Sequence, residues 1–257
     1  MVGAGGAATG VADLLDDLVA EQRALQVTLR AIDNDMWLRP TPARGWDVRD
    51  TVAHLADTDE MAIATATGAP GSINDRAAAA ASGEDLTYQG VLHGRRRSGP
   101  EVLAWWESTT AAEHEMFEAL DPNVRVPWGI GMQPRSFVTA RLMETWAHAL
   151  DVGAAVGVAP VDSDRLAHVA WLATRALAYA YSVAGREPPT EPLRVELTLP
   201  SGGEWSLGPA DAENRITGPA GEYCRVFVHR MRLDDARGLR ADGPAAIAAL
   251  SVARAFL

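Results

Sequence analysis

Apolar residues recur at Leu14, Leu15, Leu18, Leu25, Leu29 and Ile32, the spacing of one helical face, and predict a helix over 11–32. Pro40, Pro42 and Gly45 break that pattern. Asp47 then suits an N-cap, with Asp50 three residues on as a capping-box partner, so a second helix begins here. Residues 68–100 are looser, with Gly68, Pro70, Gly71, Gly94, Gly99 and Pro100 leaving room for one or two short helices. A third long helix fits 101–120, stopped by Asp121-Pro122, and a turn-rich stretch from Pro127 to Pro134 leads into a fourth at about 135–156. Four long helices in this order predict an up-down bundle. A fifth, strongly apolar helix is expected over 164–184. The period then changes. Residues 193–199 alternate apolar and polar side chains as a half-buried strand does, Gly202-Gly203 suits a turn into 204–207, and 214–217 suits a third strand. Short helices are expected at 220–229 and 244–255. The fold class is therefore mainly α with a small α/β C-terminal part, divided into 1–160 and 161–257.

Composition narrows the function. No apolar run approaches the ~18 residues of a membrane span, and Met1–Gly10 lacks the basic and apolar regions of a signal peptide, so a cytoplasmic protein without membrane partners is expected, as a monomer or homodimer. The single cysteine, Cys224, excludes an internal disulfide and a cysteine-rich zinc site. Arginine supplies all side-chain cations and there is no lysine, which removes Schiff-base and lysine-base chemistry and suits a high-GC bacterial genome. A net charge of −11 argues against nucleic acid as a partner.

Within the fourth helix, Glu144 and His148 stand four residues apart and share one face, with Asp151 a turn further on. Two such groups make half a metal site. His54, about two turns into the capped second helix, is the best third ligand. Two imidazoles and a carboxylate suit zinc with an open coordination position, and nickel or iron accept the same donors. Spacing alone also fits a solvated glutamate beside a packed histidine. Asp50 and Asp151 are candidates to orient the ligand histidines from behind, and Trp128, in a Gly-flanked loop, is a pocket candidate. His93 falls in the loose connection, His114 among Glu113, Glu115 and Glu118 on an expected solvated face, and His168 and His229 in the C-terminal part. The Arg95–Arg97 run reads as a solvated loop. No G-x-S-x-G, phosphate loop or dinucleotide fingerprint occurs.

Taken together, Gly45-Trp46-Asp47-Val48-Arg49-Asp50-Thr51-Val52-Ala53-His54-Leu55 resembles the second helix of the mycothiol-dependent maleylpyruvate isomerases and the wider DinB-like superfamily. The pattern Arg141-x-x-Glu144-x-Trp146-x-His148-x-x-Asp151 resembles their metal-binding helix, and residues 216–243 are similar to their small C-terminal domain. The resemblance spans nearly the whole chain. It implies a DinB-like bundle holding a divalent metal on His54, Glu144 and His148, with mycothiol as the thiol cosubstrate. It also implies an isomerase or thiol S-transferase acting on a small electrophile; in the isomerase the thiolate adds to a cis double bond, permits rotation, and leaves. Arg230 best matches the family's catalytic arginine, with Arg232 close behind, and Arg141 joins Trp128 and Arg232 as pocket candidates. Residues 68–100 are longer and more irregular than in the isomerase, so the substrate stays open. The alternatives are a metal-dependent hydrolase and a non-catalytic metal- or ligand-binding protein.

Overall fold

The computed structural model describes residues 11–129 and 131–255; the stretch Met1–Gly10, weighed above as a leader, lies outside them. The chain divides after Pro160 into two compact units. In the first, the long helices are α1 (Val11–Ala31), α2 (Val48–Thr67), α5 (Gly99–Ala119) and α6 (Pro134–Val156), with short α3 (Ile73–Ala79) and α4 (Gly83–Gly94) between α2 and α5. Their ends follow the sequence. The Asp50 N–H donates to Asp47 Oδ1 at 2.7 Å and the Asp47 N–H to Asp50 Oδ2 at 3.3 Å, which closes the predicted capping box. Pro100 and Pro134 open α5 and α6, where a missing N–H costs nothing.

The four long helices form the bundle: α2 packs on α5 and α6, and α1 on α6 and α5. Leu25, Leu29, Val52, Leu55, Val102, Trp106 and Val152 are among its buried side chains. α4 lies on α2 at very short range. A Cβ placed on Gly94 would stand 2.2 Å from that of Ala53, so only glycine permits the approach. The irregular connection over 68–100 thus carries two helices, one of them docked on the helix that bears His54.

In the second unit the expected fifth helix is two, α7 (Leu166–Arg175) and α8 (Leu177–Val183). They part at Ala176, whose ψ of −4° opens the turn without any glycine or proline. Strands β1 (Leu193–Thr198), β2 (Glu204–Leu207), β3 (Asn214–Pro219) and β4 (Arg240–Asp242) form a sheet in the order β2-β1-β3-β4. β1 and β3 run parallel, with Val195 opposite Ile216 and both fully buried. Helices α9 (Ala220–Phe227) and α10 (Pro244–Ser251) pack on β3. The three-residue β4 escaped the sequence pattern. No described helix is long and apolar enough to cross a membrane.

Candidate metal centre

His54 on α2 faces Glu144 and His148 on α6. The Oε2 atom of Glu144 lies 3.7 Å from Nε2 of His54 and 3.4 Å from Nε2 of His148, and one donor atom from each residue falls within a 4.8 Å span. The two imidazoles meet edge to face with centroids 4.9 Å apart. This set fits a divalent ion with an open coordination position. Burial alone would raise the Glu144 carboxyl, but its bonds to His148 and His54 outweigh it and hold the group well below the usual carboxylate range.

The two histidines differ behind the site. Nδ1 of His148 lies 3.0 Å from Oδ2 of buried Asp151, so the carboxylate fixes the ring and presents Nε2 forward. Burial would lower this imidazole, yet Asp151 and Glu144 raise it. Nδ1 of His54 is buried without a hydrogen-bond partner, and burial pushes its imidazole down. Asp50 therefore does not back His54. It closes the helix cap and takes an ion pair from Arg95, with Nη2 at 2.7 Å.

Trp46, which the sequence pattern did not single out, is the tryptophan beside the two histidines. Its ring centroid lies 5.0 Å from His54 and stacks at 6.1 Å on His148. Trp128 instead packs on Phe137 at 5.4 Å. Arg141 is buried inside the bundle. Its Nε donates to Asp59 Oδ1 at 3.0 Å and its Nη2 to Thr58 Oγ1 at 3.0 Å. Glu113, expected on a solvated face, is fully buried beside this pair, and Gln22 Nε2 donates to its Oε2 at 3.2 Å. Gln22 Oε1 reaches Nε2 of His114, and Trp106 Nε1 donates to Asp59 at 3.0 Å. A polar cluster thus joins all four long helices. Its signal was present: Glu113 follows Val102, Trp106 and Thr109 at helical spacing, on the buried stripe of α5.

In the second unit, Arg230 follows α9 and its Nη1 donates to the Val228 carbonyl at 2.7 Å. Arg232 is exposed, with Asp234 at 3.5 Å. His229 Nε2 lies 2.8 Å from the Ala253 carbonyl in a left-handed backbone at φ 57°, and Arg225 pairs with Asp162 at 2.6 Å. Cys224 is buried, which raises its thiol far above the range of a nucleophile.

The family model for the mycothiol maleylpyruvate isomerase N-terminal domain matches residues 18–153, the span that holds all three donors. The chain belongs to that family. Two uncharacterized proteins of Mycobacterium tuberculosis, from strains CDC 1551 / Oshkosh and ATCC 25618 / H37Rv, are each 37% identical to it over 241 residues, covering 93% of this chain and 93% of each relative. The crystal structure of the mycothiol-dependent maleylpyruvate isomerase superposes with a TM-score of 0.59 at 17% identity, covering 92% of this chain and 95% of that one. A histidine-to-alanine mutant of that enzyme gives the same values. At that identity the likeness speaks for the fold.

Proposed function

We propose that the protein is a divalent-metal-dependent enzyme that uses mycothiol to isomerise a small electrophile or that transfers the thiol to it. The observation that carries this reading is the convergence of His54, Glu144 and His148 from two helices within 4.8 Å, in a chain of the mycothiol maleylpyruvate isomerase family. Zinc suits the donors best. A bound divalent ion would lower the pKa of a thiol and so favour its thiolate at neutral pH.

The chain's own residues supply orientation. Asp151 aims His148, and the Trp46 ring covers one side of both imidazoles, which limits water there. In this reading Arg230 binds an anionic group of the substrate or thiol through its planar fork.

Metal analysis of the purified protein and of His148→Ala is the first test. About one divalent ion per chain is expected in the parent and a large loss in the variant; unchanged metal content would remove the ligand assignment. Electrophile consumption is then followed with and without mycothiol. Turnover only with the thiol supports the proposal, turnover without it indicates hydrolysis, and ligand binding without turnover indicates a binding protein. Arg230→Lys should keep metal content and melting temperature while cutting turnover; parental turnover would redirect attention to Arg232 or Arg225.

A further inference from the structure

The polar cluster inside the bundle lies one turn from the candidate metal centre along both helices that build it. On α6, Arg141 precedes Glu144 by three residues; on α2, Thr58 follows His54 by four. At 1.5 Å of rise per residue, each offset is about 5 Å. Arg141 crosses between the helices, with Nε on Asp59 Oδ1 and Nη2 on Thr58 Oγ1, both at 3.0 Å. Thr58 Oγ1 in turn donates to the main-chain carbonyl of His54 at 2.8 Å. A continuous hydrogen-bonded path therefore runs from the helix of Glu144 and His148 to the backbone of His54.

We propose that Arg141, held between Thr58 and Asp59, is a positioning residue that locks α6 against α2 and so sets the spacing of His54, Glu144 and His148. Three observations support it. The guanidinium is buried, with Nε donating to Asp59 and Nη2 to Thr58, so two of its three nitrogens are held by α2. Asp59 is itself held by Trp106 of α5, which keeps the acceptor from rotating away. His54 has no hydrogen bond to its rear nitrogen, so beyond its ring packing on Trp46 and His148 its position is set through its backbone. His148 has Asp151 for that purpose. The lock supplies for one histidine what a carboxylate supplies for the other.

The proposal rests on the metal reading above, and cobalt(II) serves as the probe for both. Its visible spectrum reports ligand geometry, and competition with a chromophoric chelator gives its affinity. The double variant Arg141→Gln/Asp59→Asn keeps a neutral, hydrogen-bonding interior but loses the charged fork. Thr58→Val is nearly isosteric and removes both links through the hydroxyl. The expected result is a folded metal-free protein whose cobalt spectrum is shifted and whose affinity falls on the order of 10–100-fold in the double variant and about 10-fold in Thr58→Val, the scale seen when groups behind ligands are lost. Arg30→Gln, which breaks an exposed ion pair between α1 and α5, should leave both unchanged.

A merely structural role would lower the melting temperature and leave the spectrum alone. If the double variant does not fold, Thr58→Val decides by itself. Parental spectrum and affinity in the folded variants would overturn the lock while leaving the metal reading in place. Failure of the parent protein to bind cobalt would overturn both.

Discussion

At the scale of single residues, the site is asymmetric, and the asymmetry can be measured. Asp151 is buried and bonded to Nδ1 of His148, so Asp151→Asn should weaken metal binding by roughly 10–100-fold while the protein still folds; chelator competition reads the change, and parental affinity would show that Asp151 does not orient the ring. Glu113 makes a second prediction. Burial, then the adjacent Asp59 charge, lift its carboxyl well above the usual range. The Arg141 charge offsets this only in part: its Nε lies 3.3 Å from Oε1 but donates to Asp59, and Oε1 accepts no hydrogen bond. An unfolded glutamate titrates near ~4.3. Above that value the folded protein binds the extra proton, so the stability tied to Glu113 is complete below it and is lost as pH rises through the folded value. Glu113→Gln mimics the protonated acid, and its melting temperature should gain on the parent between pH 5 and pH 8. Curves that stay parallel would show an ionised Glu113. The three candidate donors were legible because E-x-x-x-H puts two on one helix face, a capped helix carries the third, and the family resemblance joins them. Trp46, Asp59 and Glu113 were not, because their roles depend on which helix faces which. Even so, acids on the apolar stripes of two helices, with Arg141 on a third, are the sequence mark of a buried ionic cluster.

Among the elements, α2 carries the most specific local coding. Asp47 and Asp50 cap it reciprocally, and Gly68 closes it in a left-handed conformation at φ 72°. Asp47→Ala removes the acceptor for the Asp50 N–H and should cost about 1 kcal/mol, read by thermal denaturation. Gly99, at the start of α5, sits so close to Trp37 that a Cβ would lie 2.1 Å from the indole. Gly99→Ala should cost about 1–3 kcal/mol through overpacking, and a parental melting temperature would mean that the indole moves freely. Elements with caps, prolines or a clear period were readable from the chain. The break at Ala176 was not, since its cause is a backbone angle in an alanine-rich run. The strand β4 was equally hidden: three residues cannot display an alternation, and only pairing with Arg215, Ile216 and Thr217 makes them a strand.

For the molecule as a whole, the bundle has a large apolar interior of its own. Side chains such as Trp106, Leu55, Leu142 and Phe137 are fully buried, so a chelated sample should keep its helical circular dichroism and melt cooperatively; collapse on chelation would make the centre a folding staple. All three donors lie before Pro160, where the chain divides, and the family match ends at residue 153. Substitutions accumulating across the four-stranded sheet therefore leave all three candidate donors in place, and the two stretches are free to change at different rates.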